Sequence, residues 1–233
     1  MKKDTEIKHA LVMAAGRGLR MRPLTDEMPK AMAPLGESTL ISEGIRRLKK
    51  EIKQVHITVG YKGSMLASHV IEKDVSSVIN TEGKGNSWWL YNSLASLIDE
   101  PMIVLTCDNV IKINFTSFAN EYFLLGSPAC MIIPVKPIDG VEGDFIFQNE
   151  ENFILDLSRE KPGKLLSSGI QILNPKKINN ITKNTDSFNN VWKQLIDLNE
   201  LKCSRKLLDS WYSVDDLVQL EKASKRIGKA NLI

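Results

Sequence analysis

The sequence predicts an α/β fold with a mostly parallel central sheet and helices on both faces. Short apolar runs alternate along the chain with segments of helical periodicity, as is typical of this class. The first run, residues 7–13, is largely apolar and ends in a glycine-containing loop, as a strand covered on both faces requires. The 233 residues can bury a sizeable core as one domain. In an open sheet of this kind, ligands bind at the carboxyl ends of the strands.

The first half of the chain alternates strands and helices. Ser38 or Thr39 can cap a helix that continues through Leu48. Asn86 or Ser87 can cap a later helix that carries apolar residues as far as Leu97. The other predicted elements of this half are strands at 54–59, 75–79 and 102–106 and a short helix at 64–71.

The second half begins with a strand at 129–135 and then a hairpin. The hairpin pairs residues 144–148 with 153–157 and turns at 149–152. Further predicted elements are a packing helix at 186–198, an aromatic strand near 211 and a last helix at 217–227. Neither a repeat nor a linker interrupts the pattern, so we expect a single domain over residues 1–233.

Composition excludes several classes of partner. Charged residues make up 25% of the chain and the net charge is only +3, so neither nucleic acid nor a membrane surface is expected to bind. Three cysteines without CxxC spacing argue against a disulfide framework or a zinc site, and a reducing cytoplasm fits them. No segment reaches transmembrane length, and the apolar run at 10–15 is too short for a signal peptide. We therefore expect a cytoplasmic protein.

The loop after the first strand combines glycine with positive charge. Gly16 and Gly18 allow positive φ and a close approach of the backbone, so that successive N–H groups can cradle phosphate oxygens. Arginine suits bidentate phosphate contacts and lysine acts as a compact charge. The loop holds four cations, Arg17, Arg20, Arg22 and Lys30. It is therefore predicted to bind a polyphosphate.

The complete pattern is more specific than its glycines. It reads Ala14-Ala15-Gly16-x-Gly18-x-Arg20-Met21-x-Pro23-Leu24-Thr25, followed by Pro29-Lys30. This pattern resembles the signature of the sugar-1-phosphate nucleotidyltransferases and phosphocholine cytidylyltransferases, and it matches neither the Walker loop nor the dinucleotide fingerprint. The resemblance implies a Rossmann-like, glycosyltransferase-A-like nucleotidyltransferase fold. Its nucleotide-binding part would span about 1–110 and its acceptor-binding part about 111–233.

The resemblance also implies roles for the residues that match it. Arg20 would hold the leaving pyrophosphate, Lys30 the α-phosphate, and Asp108 would be catalytic and bind Mg²⁺ together with Asp215. An aspartate at the end of a strand can also be a turn residue, and Asp215 or Asp216 can be only the cap of the last helix. The residues implied to bind the nucleotide are Ala14, Ala15, Gly16, Gly18, Arg20, Asn86 and Ser87.

The acceptor side is implied by weaker matches. Glu160-Lys161-Pro162 resembles the element that meets the sugar hydroxyls and the acceptor phosphate, although it can also be an exposed turn with an ion pair. Gly169 lies in Ser168-Gly169-Ile170, which resembles a small-residue turn before a strand. Trp88 can line the site and bind a cation through its ring, or it can pack in the core together with Trp89. Phe145 stands where many hexose enzymes have glycine, which argues against an ordinary hexose.

These matches imply a Mg²⁺-dependent transfer of a nucleoside monophosphate from a nucleoside triphosphate, with a pyrimidine base favoured, to a phosphorylated small molecule. The first interpretation is a sugar 1-phosphate acceptor, in cell-surface polysaccharide biosynthesis. One alternative is a cytidylyltransferase for phosphocholine or a related amino-alcohol phosphate or phosphonate. Another is a catalytically silent subunit that senses nucleotide sugars. A homodimer is compatible with all three, and the sequence selects neither the base nor the acceptor.

Overall fold

Thirteen strands and eight helices follow one another in the computed structural model, which describes residues 6–138, 140–208 and 210–230. The strands are β1 (His9–Met13), β2 (Pro34–Leu35), β3 (Ser38–Thr39), β4 (Gln54–Val59), β5 (Ser77–Asn80), β6 (Met102–Thr106), β7 (Asn109–Lys112), β8 (Cys130–Val135), β9 (Phe145–Gln148), β10 (Ile154–Ser158), β11 (Leu166–Leu173), β12 (Leu201–Cys203) and β13 (Ser210–Ser213). The helices are α1 (Leu24–Glu27), α2 (Leu40–Leu48), α3 (Gly63–Ile71), α4 (Trp88–Asn92), α5 (Phe115–Leu124), α6 (Pro175–Ile181), α7 (Phe188–Asp197) and α8 (Leu217–Ala230).

The chain divides into two compact units. The glycine-loop unit comprises residues 10–83, 105–111 and 212–233, and the hairpin unit comprises 1–9, 84–104 and 112–211. Of the predicted single domain, residues 1–5, 139, 209 and 231–233 lie outside the described part. Within that part, none of the helices is both long and apolar enough to cross a membrane.

The glycine-loop unit has the expected α/β organisation. Its strands β1, β4 and β5 are neighbours in that order, and β4 pairs with β5 in parallel register from His56↔Ser77 to Val59↔Asn80. One buried cluster of this unit holds the segment after the glycine loop against the last helix; its members are Met21, Ala33, Leu35, Leu40, Val214, Leu220 and Ala223. The strands β1 and β6 both end where the candidate site begins.

The hairpin unit contains more antiparallel pairs than the sequence suggested. Strand β11 runs antiparallel to β6, β8 and β9, whereas β8 and β12 are parallel. Strands β9 and β10 form the predicted hairpin, because a connection of five residues is too short for a parallel crossover. The α/β class is confirmed, with β4 and β5 parallel and the short strands β2 and β3 antiparallel in the glycine-loop unit, and mixed pairing here.

Two predicted elements differ from the structure. The helix expected to reach Leu97 ends at Asn92, because Ser93 is extended (φ −123°, ψ 170°) and its hydroxyl donates to Trp89 O at 2.7 Å. Leu94 follows in a 3₁₀ turn and is 83% exposed, so it is not part of the predicted apolar face. Gly169 does not precede a strand but lies inside β11, at an irregularity in the pairing between Ser167 and Ile170.

Candidate active site

Lys30 is the centre of the candidate site in the glycine-loop unit. Its Nζ lies 2.6 Å from Asp108 Oδ2 and 3.0 Å from Asp215 Oδ1, and its side chain is only 11% exposed. The two aspartates are 107 positions apart in sequence and contact the same ammonium group. The structure therefore brings Asp108 and Asp215 together on the Lys30 ammonium, and their binding of Mg²⁺ stays a prediction.

Backbone hydrogen bonds fix Asp108 at the end of β6. The neighbouring Cys107 N donates to Met13 O at 3.0 Å, which ties the end of β6 to the end of β1. Val214 N donates to Asp108 O at 3.1 Å, and the Thr106 hydroxyl donates to Asp108 Oδ1. Asp108 is thus held at the carboxyl end of a strand, where an α/β sheet places its ligands.

Asp215 and Asp216 have different roles. Ser213 Oγ donates to Asp215 Oδ2 at 2.9 Å, and the Asp215 backbone N donates to Gln219 Oε1 at 2.6 Å. Asp216 Oδ1 accepts from Gln219 N at 2.7 Å, which caps the last helix. Of the two aspartates, the structure therefore turns Asp215 towards Lys30 and uses Asp216 as the helix cap.

The charges of this cluster stabilise one another. Burial alone would lower the pKa of Lys30, but the charge of Asp108 and its other neighbours outweigh burial and raise it. Burial alone would raise the pKa of Asp215, but Lys30, a hydrogen bond from Ser213 and the charge of Arg20 hold it below its usual value. Lys30 and Asp215 are therefore both ionised at neutral pH.

The glycine loop packs directly on Lys30. Gly18 has φ +63°, and a Cβ at this position would lie 2.7 Å from Lys30 Cβ, so both its conformation and the space require glycine. Ala14 N donates to Thr58 Oγ1 at 3.1 Å, and Ala15 O accepts from Tyr61 N at 3.0 Å. At Gly16, by contrast, an added Cβ would meet nothing within 4 Å among the described residues beyond its chain neighbours. The loop backbone is therefore hydrogen-bonded to β4 and to the turn after it, and the space beside Gly16 is open.

The arginines of the loop have separate partners. Arg20 Nη2 lies 2.9 Å from Asp215 Oδ1, so it joins the Lys30 cluster. Arg22 Nε lies 3.0 Å from Asp26 Oδ1, one turn along the chain. Arg20 is thus placed beside the predicted metal ligand, whereas Arg22 pairs outside the cluster.

In the hairpin unit, the side chains of Asn86 and Ser87 form hydrogen bonds to the backbone of residues 185–188. Asn86 Oδ1 accepts from Phe188 N at 2.9 Å, and Ser87 Oγ donates to Thr185 O at 2.7 Å. Neither side chain caps α4, so that part of the sequence prediction is wrong. Both side-chain oxygen atoms therefore already take part in hydrogen bonds within the protein.

Trp88 and Trp89 also differ from each other. Trp89 is 1% exposed, and its ring lies 6.2 Å from that of Phe188, so it packs in the core. Trp88 is only partly buried, and the ammonium of Lys84 lies 5.7 Å from its ring centre. The Trp88 ring does attract a cation, and in this structure the cation belongs to the protein.

Of the other predicted acceptor residues, Glu160 and Lys161 lie in the β10–β11 connection of the hairpin unit and Gly169 lies inside β11. Glu160 and Lys161 are exposed, and their backbone N–H groups both donate to Ser158 Oγ at 3.2 Å. Gly169 has φ +77°, a conformation that favours glycine. A Cβ on Gly163 would lie 3.3 Å from Phe145 Cβ, so this glycine lets the connection pass beside the aromatic ring.

The donor set fits magnesium. Mg²⁺ prefers oxygen ligands and is usually held by one or two carboxylates together with substrate phosphates. Asp108 and Asp215 supply two carboxylates that already converge on one positive charge. Among the residues that the structure describes, no group of three or more histidine, cysteine or acidic side chains could hold a metal on its own. The pair is therefore suited to an ion shared with a phosphate substrate.

Sequence reasoning missed several supporting residues. Thr58, Thr106 and Ser213 each donate or accept a hydrogen bond at the loop or at the aspartates. Two of them carried a signal, because Thr106 lies two residues before Asp108 and Ser213 two residues before Asp215, where a hydroxyl can reach the carboxylate. Thr58 carried none, since its contact with Ala14 joins positions 44 residues apart.

A glycine loop beside aspartates that follow strands is typical of α/β proteins that bind polyphosphates. The chain belongs to the nucleotidyl transferase family, which matches residues 9–227. This membership confirms the predicted family.

Relatives show how far the similarity extends. Mannose-1-phosphate guanyltransferase of Debaryomyces hansenii is 24% identical over 181 residues, 72% of this chain and 50% of that protein. The bifunctional protein GlmU of Methanococcus aeolicus is 23% identical over 69% of this chain and 39% of its own length. The chain therefore spans about two fifths to a half of these curated relatives. The structure of CTP:phosphocholine cytidylyltransferase from Streptococcus pneumoniae shares the fold, with a TM-score of 0.73 and 20% identity over 94% of this chain and 98% of that one.

Proposed function

We propose that this chain transfers a nucleoside monophosphate from a nucleoside triphosphate to a phosphorylated acceptor and releases pyrophosphate. The observation that carries the proposal is the convergence of Asp108 and Asp215 on the ammonium of Lys30, directly against the glycine loop. In the reaction, an acceptor phosphate oxygen forms a bond to the α-phosphorus, and the bond from that phosphorus to the bridging β-phosphate oxygen breaks. Both reactants are anions, so positioning and neutralisation of charge supply most of the rate enhancement.

Each charged residue has a proposed part in this step. Lys30 neutralises the α-phosphate, Arg20 holds the departing pyrophosphate, and Lys161 binds the acceptor phosphate. Asp108 and Asp215 would hold Mg²⁺, which supplies charge neutralisation to the phosphates when it is bound. No general base is needed, because the acceptor phosphate is already ionised at neutral pH.

We propose a sugar 1-phosphate as the acceptor and a pyrimidine nucleotide as the donor, in the cytoplasmic synthesis of an activated sugar for cell-surface polysaccharide. The name of the Debaryomyces relative supports a sugar-phosphate acceptor. Glu160 beside Lys161 supports it as well, since a carboxylate can accept hydrogen bonds from hydroxyl groups.

Phosphocholine or a related amino-alcohol phosphate is the second candidate. Phe145 at the start of β9 favours it, because many hexose enzymes of the resembled family have glycine at this position. The structural similarity to the phosphocholine enzyme of Streptococcus pneumoniae points the same way. Lys84 over the Trp88 ring argues against Trp88 as the group that would bind a quaternary amine.

The deciding experiment measures pyrophosphate release with Mg²⁺. CTP, UTP, dTTP, GTP and ATP are each crossed with a panel of sugar 1-phosphates, phosphocholine and aminoethylphosphonate. Release with one pair establishes the reaction and names both substrates. Absence of release from folded protein that binds a nucleotide would overturn both proposed acceptors, in favour of a silent sensing subunit or an acceptor outside the panel.

The Asp108→Asn variant tests the metal assignment in the same assay. We expect Mg²⁺-dependent release to be lost, because the amide cannot supply the anionic oxygen and leaves Lys30 with one carboxylate fewer. Far-ultraviolet circular dichroism should show an unchanged fold. Undiminished turnover would contradict the role given to Asp108.

A further inference from the structure

Arg17 differs from the other cations of the glycine loop in having no acidic partner among the described residues. Arg20 pairs with Asp215, Arg22 with Asp26, and Lys30 with both site aspartates. Within residues 6–138, 140–208 and 210–230, no carboxylate lies within ion-pair distance of Arg17. Among the described residues, no acidic side chain therefore neutralises the positive charge of Arg17, whereas Arg20, Arg22 and Lys30 each have an acidic partner.

Arg17 is nevertheless held in place, by an aromatic ring. Its guanidinium carbon lies 5.6 Å from the centre of the Tyr61 ring, and Lys62 Nζ lies 5.7 Å from the same centre. A ring face orients a guanidinium and leaves its N–H groups able to donate to a ligand. Two cations near one ring also raise the local positive potential, which favours an anionic ligand.

Tyr61 is itself anchored to both ends of the loop. Its backbone N donates to Ala15 O at 3.0 Å, and its hydroxyl donates to Thr25 O at 2.9 Å. Thr25 Oγ1 in turn donates to Gly18 O at 3.0 Å. The Tyr61 ring is thus fixed relative to the backbone that would cradle phosphates.

The residue before Tyr61 makes this anchoring possible. A Cβ on Gly60 would lie 2.8 Å from both Ala15 O and Ala15 Cβ, so a larger residue would push the two segments apart. The turn after β4 therefore acts as the support of the loop.

We propose that Arg17, oriented by Tyr61, binds the terminal phosphates of the nucleoside triphosphate. The proposal rests on the proposed function, and it adds a binding residue and a positioning residue to that site. Arg17 is exposed, and the adjacent Gly16 leaves open space in which phosphate oxygens can reach its N–H groups. A guanidinium oriented in this way suits the bidentate geometry of a terminal phosphate.

Direct binding measurements test this assignment without turnover. Isothermal titration calorimetry with Mg²⁺ compares inorganic tripolyphosphate, the five nucleoside triphosphates and the five monophosphates. The variants are Arg17→Gln and, as the matched control, Arg22→Gln, which removes the same charge from the same loop. We expect Arg17→Gln to weaken tripolyphosphate and triphosphate binding about tenfold and monophosphate binding less than twofold. Arg22→Gln should change all three less than twofold.

The role of Tyr61 is read from a double-mutant cycle. Tyr61→Leu should weaken tripolyphosphate binding severalfold in the wild-type background and less than twofold in the Arg17→Gln background, because its effect acts through Arg17. Arg17→Lys keeps the charge without the planar fork and should recover part of the affinity. A Tyr61 effect of equal size in both backgrounds would make Tyr61 a purely structural residue and overturn its positioning role.

The outcomes separate this inference from the proposed function. Wild-type protein that binds no triphosphate would overturn both. Wild-type protein that binds and turns over a triphosphate, while Arg17→Gln binds equally well, would overturn only the role of Arg17. Equal weakening of triphosphate and monophosphate binding in a variant that melts normally would also overturn it, because the loop as a whole would then be damaged.

Discussion

A buried lysine between two carboxylates is the residue-scale feature on which the candidate site depends. Removing Lys30 from water is costly, and two ion pairs at 2.6 and 3.0 Å offset that cost. Its aliphatic stem fills the space that Gly18 leaves open. The glycine and the lysine of the motif are therefore physically linked, although 12 positions separate them in sequence.

Asp215 and Asp216 provide a prediction with a built-in control. Asp215→Asn should reduce Mg²⁺-dependent pyrophosphate release at least tenfold, because Asp215 contacts Lys30 and Arg20. Asp216→Asn should keep near-normal activity, since asparagine caps a helix as well as aspartate does. Steady-state rates of the two purified variants check this. If both variants lost activity to a similar extent, the effect would come from disturbing the segment as a whole, and the proposed metal-binding role of Asp215 would be contradicted.

Residue identities in the site were predictable where chemistry demands one residue type. The backbone at position 18 has a positive φ, which favours glycine. Carboxylates such as those of Asp108 and Asp215 are the groups that bind a metal ion or a lysine ammonium. The partners were not predictable. The pairing of Lys30 with Asp215 spans 185 positions, and no local pattern reports a contact of that range.

At the scale of single elements, helix α2 shows what local signals can predict. Thr39 was one of two proposed caps, and its hydroxyl accepts from Ser42 N at 3.2 Å. Helices α5 and α6 were missed although each has a local signal. Asn114 accepts from Ser117 N, and Asn174 accepts from Lys177 N with proline at the next position. The break at Ser93 also has a local signal, because its hydroxyl donates to Trp89 O and accepts from Ala95 N. The place of Gly169 inside β11 depends on pairing with other strands, which a sequence pattern does not contain.

The cap of α2 also predicts a pH dependence of stability. His69 Nε2 lies 2.8 Å from Ser42 Oγ and 3.2 Å from Thr39 Oγ1, and the neutral ring can accept from such a hydroxyl. Burial lowers the pKa of His69, and Lys73 adds to this effect. The unfolded chain therefore binds the proton more readily than the folded one. The stability from neutral His69 is complete above its unfolded pKa, about 6.5, and is lost as the pH falls below that value.

Urea unfolding of wild type and His69→Gln between pH 5 and 8 measures this contribution. The glutamine does not titrate, so the stability advantage of wild type at pH 8 should shrink towards pH 5. His9 also has a pKa lowered mainly by burial, so both proteins should keep some residual pH dependence. A difference between the two proteins that stays constant with pH would rule out the role given to His69.

For the molecule as a whole, ligand binding and stability are linked. A nucleotide that binds only the folded chain at 100 times its Kd adds about 2.7 kcal/mol to the free energy of unfolding. For a chain of 233 residues, this corresponds to a rise in Tm of roughly 5–10 °C. Most of this rise should require Mg²⁺, because Asp108 and Asp215 are proposed to reach the nucleotide through the ion.

Differential scanning calorimetry of wild type and Asp108→Asn, with the nucleoside triphosphate in Mg²⁺ or in EDTA, separates the two parts of this effect. Lys30 and Arg20 remain in both proteins, so a small rise in EDTA is expected from direct phosphate contacts. The additional rise with Mg²⁺ should appear in wild type and be lost in Asp108→Asn, since the variant keeps only one of the two converging carboxylates. An equal Mg²⁺-dependent rise in both proteins would mean that the ion binds through the nucleotide alone. The contact of Asp108 with Lys30 would then serve the fold rather than the metal.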